Sequence, residues 1–294
     1  MPPRASKKIE AARRREIDRY LRTGDHDPYY SCWPGRGIIE CATAGDQALL
    51  DALVAEVRRR AGDRRPPSLP KRFNPRRFAL RQVTPMVDGL FPAKERTIIL
   101  DLLGRSLVFL TPENIDEVLG GENFLHSAWL RANIYLGSLG LEGLDGEVSC
   151  IVGVSAETTC HISTVYFEVE DPFADYVVHE AAHIFHNWKR ERAGLPHTRT
   201  REWLLQIDYG KRETFAYACE AYSRIREQAK NPAERKRLLT DYAERWVPTP
   251  DDVDQGELIE ILGEAVAARN GWKRILARCS PPKRTRRRKT SSLS

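Results

Sequence analysis

No apolar run in the sequence reaches about 18 residues, which excludes a membrane-spanning helix of the usual hydropathy pattern. The first 22 residues, MPPRASKKIEAARRREIDRYLR, are basic and lack an apolar h-region, which argues against a standard secretory signal. There is no Cys-x-x-Cys pair, and six cysteines in 294 residues are too few for a disulfide scaffold. Cys32, Cys41, Cys150, Cys160, Cys219 and Cys279 are therefore expected as reduced thiols, in a reducing, cytoplasmic compartment. No internal repeat is visible. What is present, 41% hydrophobic and 30% charged residues, is the make-up of a folded globular chain, long enough for one large domain or two small ones.

Acid is missing from one region. Residues 273–294 carry nine basic side chains and no acidic one, so the rest of the chain holds 38 basic against 41 acidic residues, a net of −3. Such a tail suits nucleic acid or anionic lipid, which it would bind by releasing counterions. The plainer expectation is a solvated, disordered end, because Pro281-Pro282 and the closing Ser/Thr run cannot build a core. A second basic stretch, Arg58 to Arg81, is broken by Pro66, Pro67, Pro70 and Pro75 and reads as an exposed linker.

The patterning predicts a charged helix over 5–22, a loop over 25–37, and a helix over 46–60 with Asp46 as N-cap. A helix at 93–104 and a short apolar strand at 107–111 follow. Next come a short Pro-opened helix ending in Gly120-Gly121 and an amphipathic helix over 122–138. Segments 148–155 and 161–170, rich in β-branched and aromatic residues, read as a hairpin. A long helix is expected from about 173 to 193, closed by Gly194 and Pro196, then helices over 212–229, 232–246 and 254–269. The fold class is α+β: a small central sheet followed by a helical C-terminal half.

One segment carries chemistry: Asp175-Tyr-Val-Val-His179-Glu180-Ala-Ala-His183-Ile-Phe-His186. Residues i and i+4 share a helix face with side chains about 6 Å apart, so His179 and His183 can each reach about 2.0–2.1 Å from one zinc ion. Glu180 is rotated about 100° from His179, placed to take a proton from water beside the metal rather than to ligate it. The flanking Val177, Val178, Ala181, Ala182, Ile184 and Phe185 are all uncharged. The helix is therefore drawn into the interior, where three unpartnered polar groups would cost several kcal/mol and a metal with its water would satisfy them.

A catalytic zinc needs a third protein ligand. Four residues offer themselves: Glu213, Glu220, Asp208 and His186. Glu213 is preferred, because the 29 residues between it and His183 let the chain turn at Gly194-Leu-Pro196 and lay a second helix beside the first. Tyr209 before Gly210 lies in a loop, where function concentrates, and Tyr217 on the following helix reads as a packing residue. The bland readings cover His126 as a packing or surface residue, Asp25-His26-Asp27 as a turn, the six tryptophans as packing, and Cys219 as an inert helical thiol.

Segment 176–185 resembles the active-site helix of the zincin metallopeptidases, with Tyr176 where Val or Thr is usual. The later Glu213 resembles the third ligand of gluzincins. Tyr209-Gly210 followed by Glu213-x-Phe215-Ala216 is similar to a segment of anthrax lethal factor-like metallopeptidases, with a shorter Tyr-to-Glu spacing and Tyr217 in place of another Glu. The resemblance spans residues 148–222. It implies a zincin-like domain over 25–272 with its catalytic core at about 105–230, between a charged helix at 1–24 and the basic tail at 273–294. It also implies Zn2+ held by His179, His183 and Glu213, Glu180 as general base, Tyr209 ahead of Tyr217 or His197 as the donor to the oxyanion, and a protein or peptide substrate. The competing expectation is a nucleic-acid-associated protein that binds through its tail, with a non-catalytic or regulatory zinc domain.

Overall fold

Three short strands make the sheet seen in the computed structural model, which describes residues 3–69, 71–147, 152–156, 159–168, 170–198, 201–245 and 253–282. They are β1 (Leu107–Leu110), β2 (Gly153–Ala156) and β3 (Thr159–Ser163). β3 is central. β1 runs parallel to it, with Leu107 opposite Cys160, and β2 antiparallel, with Gly153 opposite Ile162. The expected hairpin is present but shorter. Its second strand stops at Ser163, whose hydroxyl accepts from the Val165 amide at 3.2 Å, and Thr164–Glu168 wind into a 3-10 turn. Residues 148–151 of the expected first strand lie outside the described residues.

Helices cover both faces. α1 (Pro3–Thr23), α2 (Ile38–Ala61), α5 (Ile115–Gly120) and α6 (Leu125–Ser138) form one core, which Leu110 and Val154 of the sheet join. α3 (Pro75–Leu90), α4 (Ala93–Ser106), α7 (Tyr176–Asn187), α8 (Arg212–Gln228), α9 (Pro232–Ala243), α10 (Gln255–Ala267) and α11 (Gly271–Cys279) form the other, against Phe109, Cys160 and Ile162. The strand period of two sends alternate residues to opposite faces, so one strand feeds both cores. The architecture is mixed α+β and mostly helical. No helix among the described residues is long and apolar enough to cross a membrane.

Three expectations are corrected. α2 begins at Ile38, so Asp46 lies inside the helix, where it accepts the Tyr30 hydroxyl at 2.5 Å instead of capping an end. The segment read as a linker contains the start of α3. The Asn74 side chain caps the Arg77 amide at 2.8 Å, and Pro75 takes the first turn, where its missing N–H costs nothing. The stretch assigned to a tail from 273 is helical through Cys279, because Trp272, Ile275 and Cys279 recur on one face and are buried. Trp272 packs so closely on Gly89 of α3 that a Cβ there would lie 2.1 Å from the indole. Residues 283–294 of the tail lie outside the described residues. Cys32, Cys41, Cys160, Cys219 and Cys279 are free thiols.

A buried arginine anchors the chain between α7 and α8. Arg190, 0% exposed, pairs with Glu95 of α4 at 2.8 Å, donates to the Pro196 carbonyl at 2.9 Å, and takes the Glu202 carbonyl on its backbone N–H at 2.9 Å. Amides of Leu204 and Leu205 then bond back to Trp188 and Phe185 at 3.0 and 2.9 Å, which returns the chain to the end of α7 before α8 begins.

Candidate metal centre

α7 starts where Asp175 accepts from the Val178 amide at 3.2 Å. It is shorter than the expected 173–193, because the cap sets its first residue at Tyr176 and the chain leaves it at Trp188. Val177, Val178, Ala181, Ala182, Ile184 and Phe185 are fully buried, and they carry His179, Glu180, His183 and His186 inside with them. α8 packs beside α7 and contributes Glu213 from its first turn.

The three sequence-predicted ligands converge. Nε2 of His183 is 3.2 Å from Nε2 of His179, and Oε2 of Glu213 is 3.7 Å from the His179 nitrogen and 3.5 Å from the His183 nitrogen. Ligands about 2.0–2.1 Å from a tetrahedral zinc stand about 3.3–3.4 Å from one another. The observed sides run from 3.2 to 3.7 Å around that spacing, and the donor set, two imidazoles and one carboxylate, is one zinc accepts. It is the one such group found among the described residues.

The other ligand candidates have different work. Glu220 lies on the far side of the first imidazole, its Oε2 3.0 Å from Nδ1 of His179, while its Oε1 accepts the Asp175 amide at 2.8 Å. A proton on Nδ1 leaves the Nε2 lone pair free for the triangle, so Glu220 orients a ligand rather than being one. Asp175 continues the chain of contacts. Its carboxylate accepts from Gln82 of α3 at 3.1 Å and from the Tyr166 hydroxyl at 3.3 Å. His186 sits behind the second ligand, its Nε2 3.5 Å from Nδ1 of His183. The Asp208 carboxylate accepts from the Gly210 amide at 3.1 Å and closes the turn ahead of α8.

Charge follows this geometry. Burial works against a charged His179, but its hydrogen bonds to Glu213 and Glu220 outweigh that and carry its pKa up to about 10. The same contacts, with His179 first and His183 next, hold the Glu213 carboxyl well below the usual range. His186 is pushed down to about 3 by burial and then by its neighbour His183, so it is a neutral ring at physiological pH. Asp175 rises to about 7, chiefly because it is buried. Two glutamates facing His179, Glu213 at Nε2 and Glu220 at Nδ1, give the cluster an excess of negative charge.

The tyrosines separate. Tyr209 is 81% exposed on the 3-10 turn and stacks on Arg212, whose guanidinium carbon is 4.6 Å from its ring. Its ring contact is with Arg212 and not with a ligating side chain. Tyr217 stands edge-on to His179 with ring centroids 4.7 Å apart. Burial, then the carboxylates of Glu220 and Glu213, push its phenol up to about 12, so it stays an O–H donor at neutral pH. His197 is exposed and lies 3.9 Å from Glu191.

Glu220→Ala is expected to weaken zinc binding about 10–100-fold, the usual loss when a carboxylate behind a ligating imidazole is removed. Competition with a colorimetric chelator measures it, and an unchanged affinity would remove Glu220 from the site. Compared with protein-family models, with curated proteins and with solved structures, the chain matches none.

Proposed function

We propose that the chain is a zinc-dependent metallopeptidase of the zincin type, hydrolysing peptide bonds with Glu180 as general base. The observation that carries this reading is the triangle of His179, His183 and Glu213, with a buried glutamate one residue along the same helix. A purely structural site would need no such base. Zinc held there supplies Lewis acidity, which acidifies water and polarises a carbonyl.

The protein's own groups do the rest. Glu180 takes a proton from water as its oxygen attacks the scissile carbonyl carbon, and passes that proton to the leaving amine nitrogen. Tyr217, rather than Tyr209, donates its hydroxyl to the developing oxyanion, because it is the tyrosine beside His179. Glu220 keeps the first imidazole turned toward the triangle, and His186 backs the second. The proposed substrate is an extended peptide or protein segment.

The test is a fluorogenic combinatorial peptide library incubated with zinc-loaded protein. Cleavage should stop on dialysis against a chelator and return when zinc is restored. Cleavage that survives complete metal removal would refute the reading.

A further inference from the structure

We propose that Gly153, on the outer strand of the sheet, is a positioning residue that seats the carboxylate of Glu180. This rests on the peptidase reading for its catalytic consequence, but not for its geometry. Gly153 pairs with Ile162, whose side chain belongs to the core that contains α7, while the next residue, Val154, packs into the opposite core. The side chain that Gly153 lacks would therefore stand on the face covered by α7. Glu180 fills that space. A Cβ built at Gly153 would lie 3.1 Å from Cγ of Glu180, 3.2 Å from Oε1 and 3.4 Å from Cδ.

Glycine is not needed there for the backbone. Gly153 is absent from the residues of positive φ, so its conformation admits any side chain. Glycine inside a strand weakens it and marks the close approach of another group. The approaching group here is the base itself. The two imidazoles are fixed from their own helix and from Glu220, whereas the base is held against a strand. A methyl at Gly153 should move the base by a few tenths of an ångström and leave the triangle intact.

The experiment uses the full chain. Gly153→Ala should bind zinc at wild-type stoichiometry and lower kcat on the peptide library about 10-fold with little change in KM, since proton transfer depends on sub-ångström placement. Glu180→Ala removes all three atoms that meet the new methyl. In the Glu180→Ala background, Gly153→Ala should therefore cost much less thermal stability than in the wild type, a non-additive cycle. A crystal structure of Gly153→Ala should show the Glu180 carboxylate displaced and His179, His183 and Glu213 unmoved. An unmoved carboxylate, an unchanged kcat, an additive cycle, or a loss that follows zinc content would each overturn the assignment. If the wild type cleaves no peptide, the peptidase reading fails, and the crystal structure of the variant still decides whether Gly153 seats Glu180.

Discussion

Glu180→Gln is expected to hold zinc as the wild type does and to lose peptide hydrolysis by about 10²–10⁴-fold, the range proton transfer by a placed side chain contributes. The amide has nearly the shape of the carboxylate and fits the same space against Gly153. It cannot accept a proton from water. The ligand triangle does not include Glu180, so its distances stay as they are. Metal analysis and kinetics on one preparation give both answers. Full hydrolysis by this variant would dismiss Glu180 as the base, and loss of zinc would show instead that it serves the metal.

Glu213→Ala is expected to reduce zinc affinity by more than about 100-fold, beyond what loss of an outer carboxylate costs. Truncation removes one corner of the triangle. Glu220 cannot replace it, because both its oxygens are engaged, one at Nδ1 of His179 and the other at the Asp175 amide. Ligand binding stabilises a folded chain by mass action, about 2.7 kcal/mol at a hundredfold excess over Kd. Zinc should accordingly raise the melting temperature of the wild type and leave that of Glu213→Ala unchanged at the same concentration. Equal stoichiometry and an equal thermal shift in the two proteins would show that the metal takes its third ligand elsewhere.

The readable part of the site was the part that local geometry decides. His179 and His183 share a face because a helix repeats every 3.6 residues, and that needs no knowledge of the rest of the chain. Glu213 follows from loop length, which lets the chain lay a second helix beside the first, and from its resemblance to the third ligand of gluzincins. The roles of Glu220 and Tyr217 were harder, since they depend on which edge of an imidazole each approaches. A signal for them existed. Glu213, Tyr217 and Glu220 stand at i, i+4 and i+7, one stripe of a helix that starts only at Arg212, so Tyr209 lies ahead of it and off the stripe. Gln82 and Tyr166 come to Asp175 from distant segments, and no local pattern marks such a meeting. In the fold, composition hid two helices. Proline masked the capped start of α3, and basic residues masked the apolar face of α11.

The triangle draws two corners from one helix and the third from another, and the packing of α8 on α7, with Glu220 bonded to both His179 and the Asp175 amide, sets how far apart they lie. The strap that joins them is pinned by Arg190 to Glu95 on a third helix. A neighbour outside the triangle thereby fixes the strap that runs between the two helices. A charge left alone in that buried pair costs about 3–5 kcal/mol, so substitution at Glu95 would be felt first as lost stability.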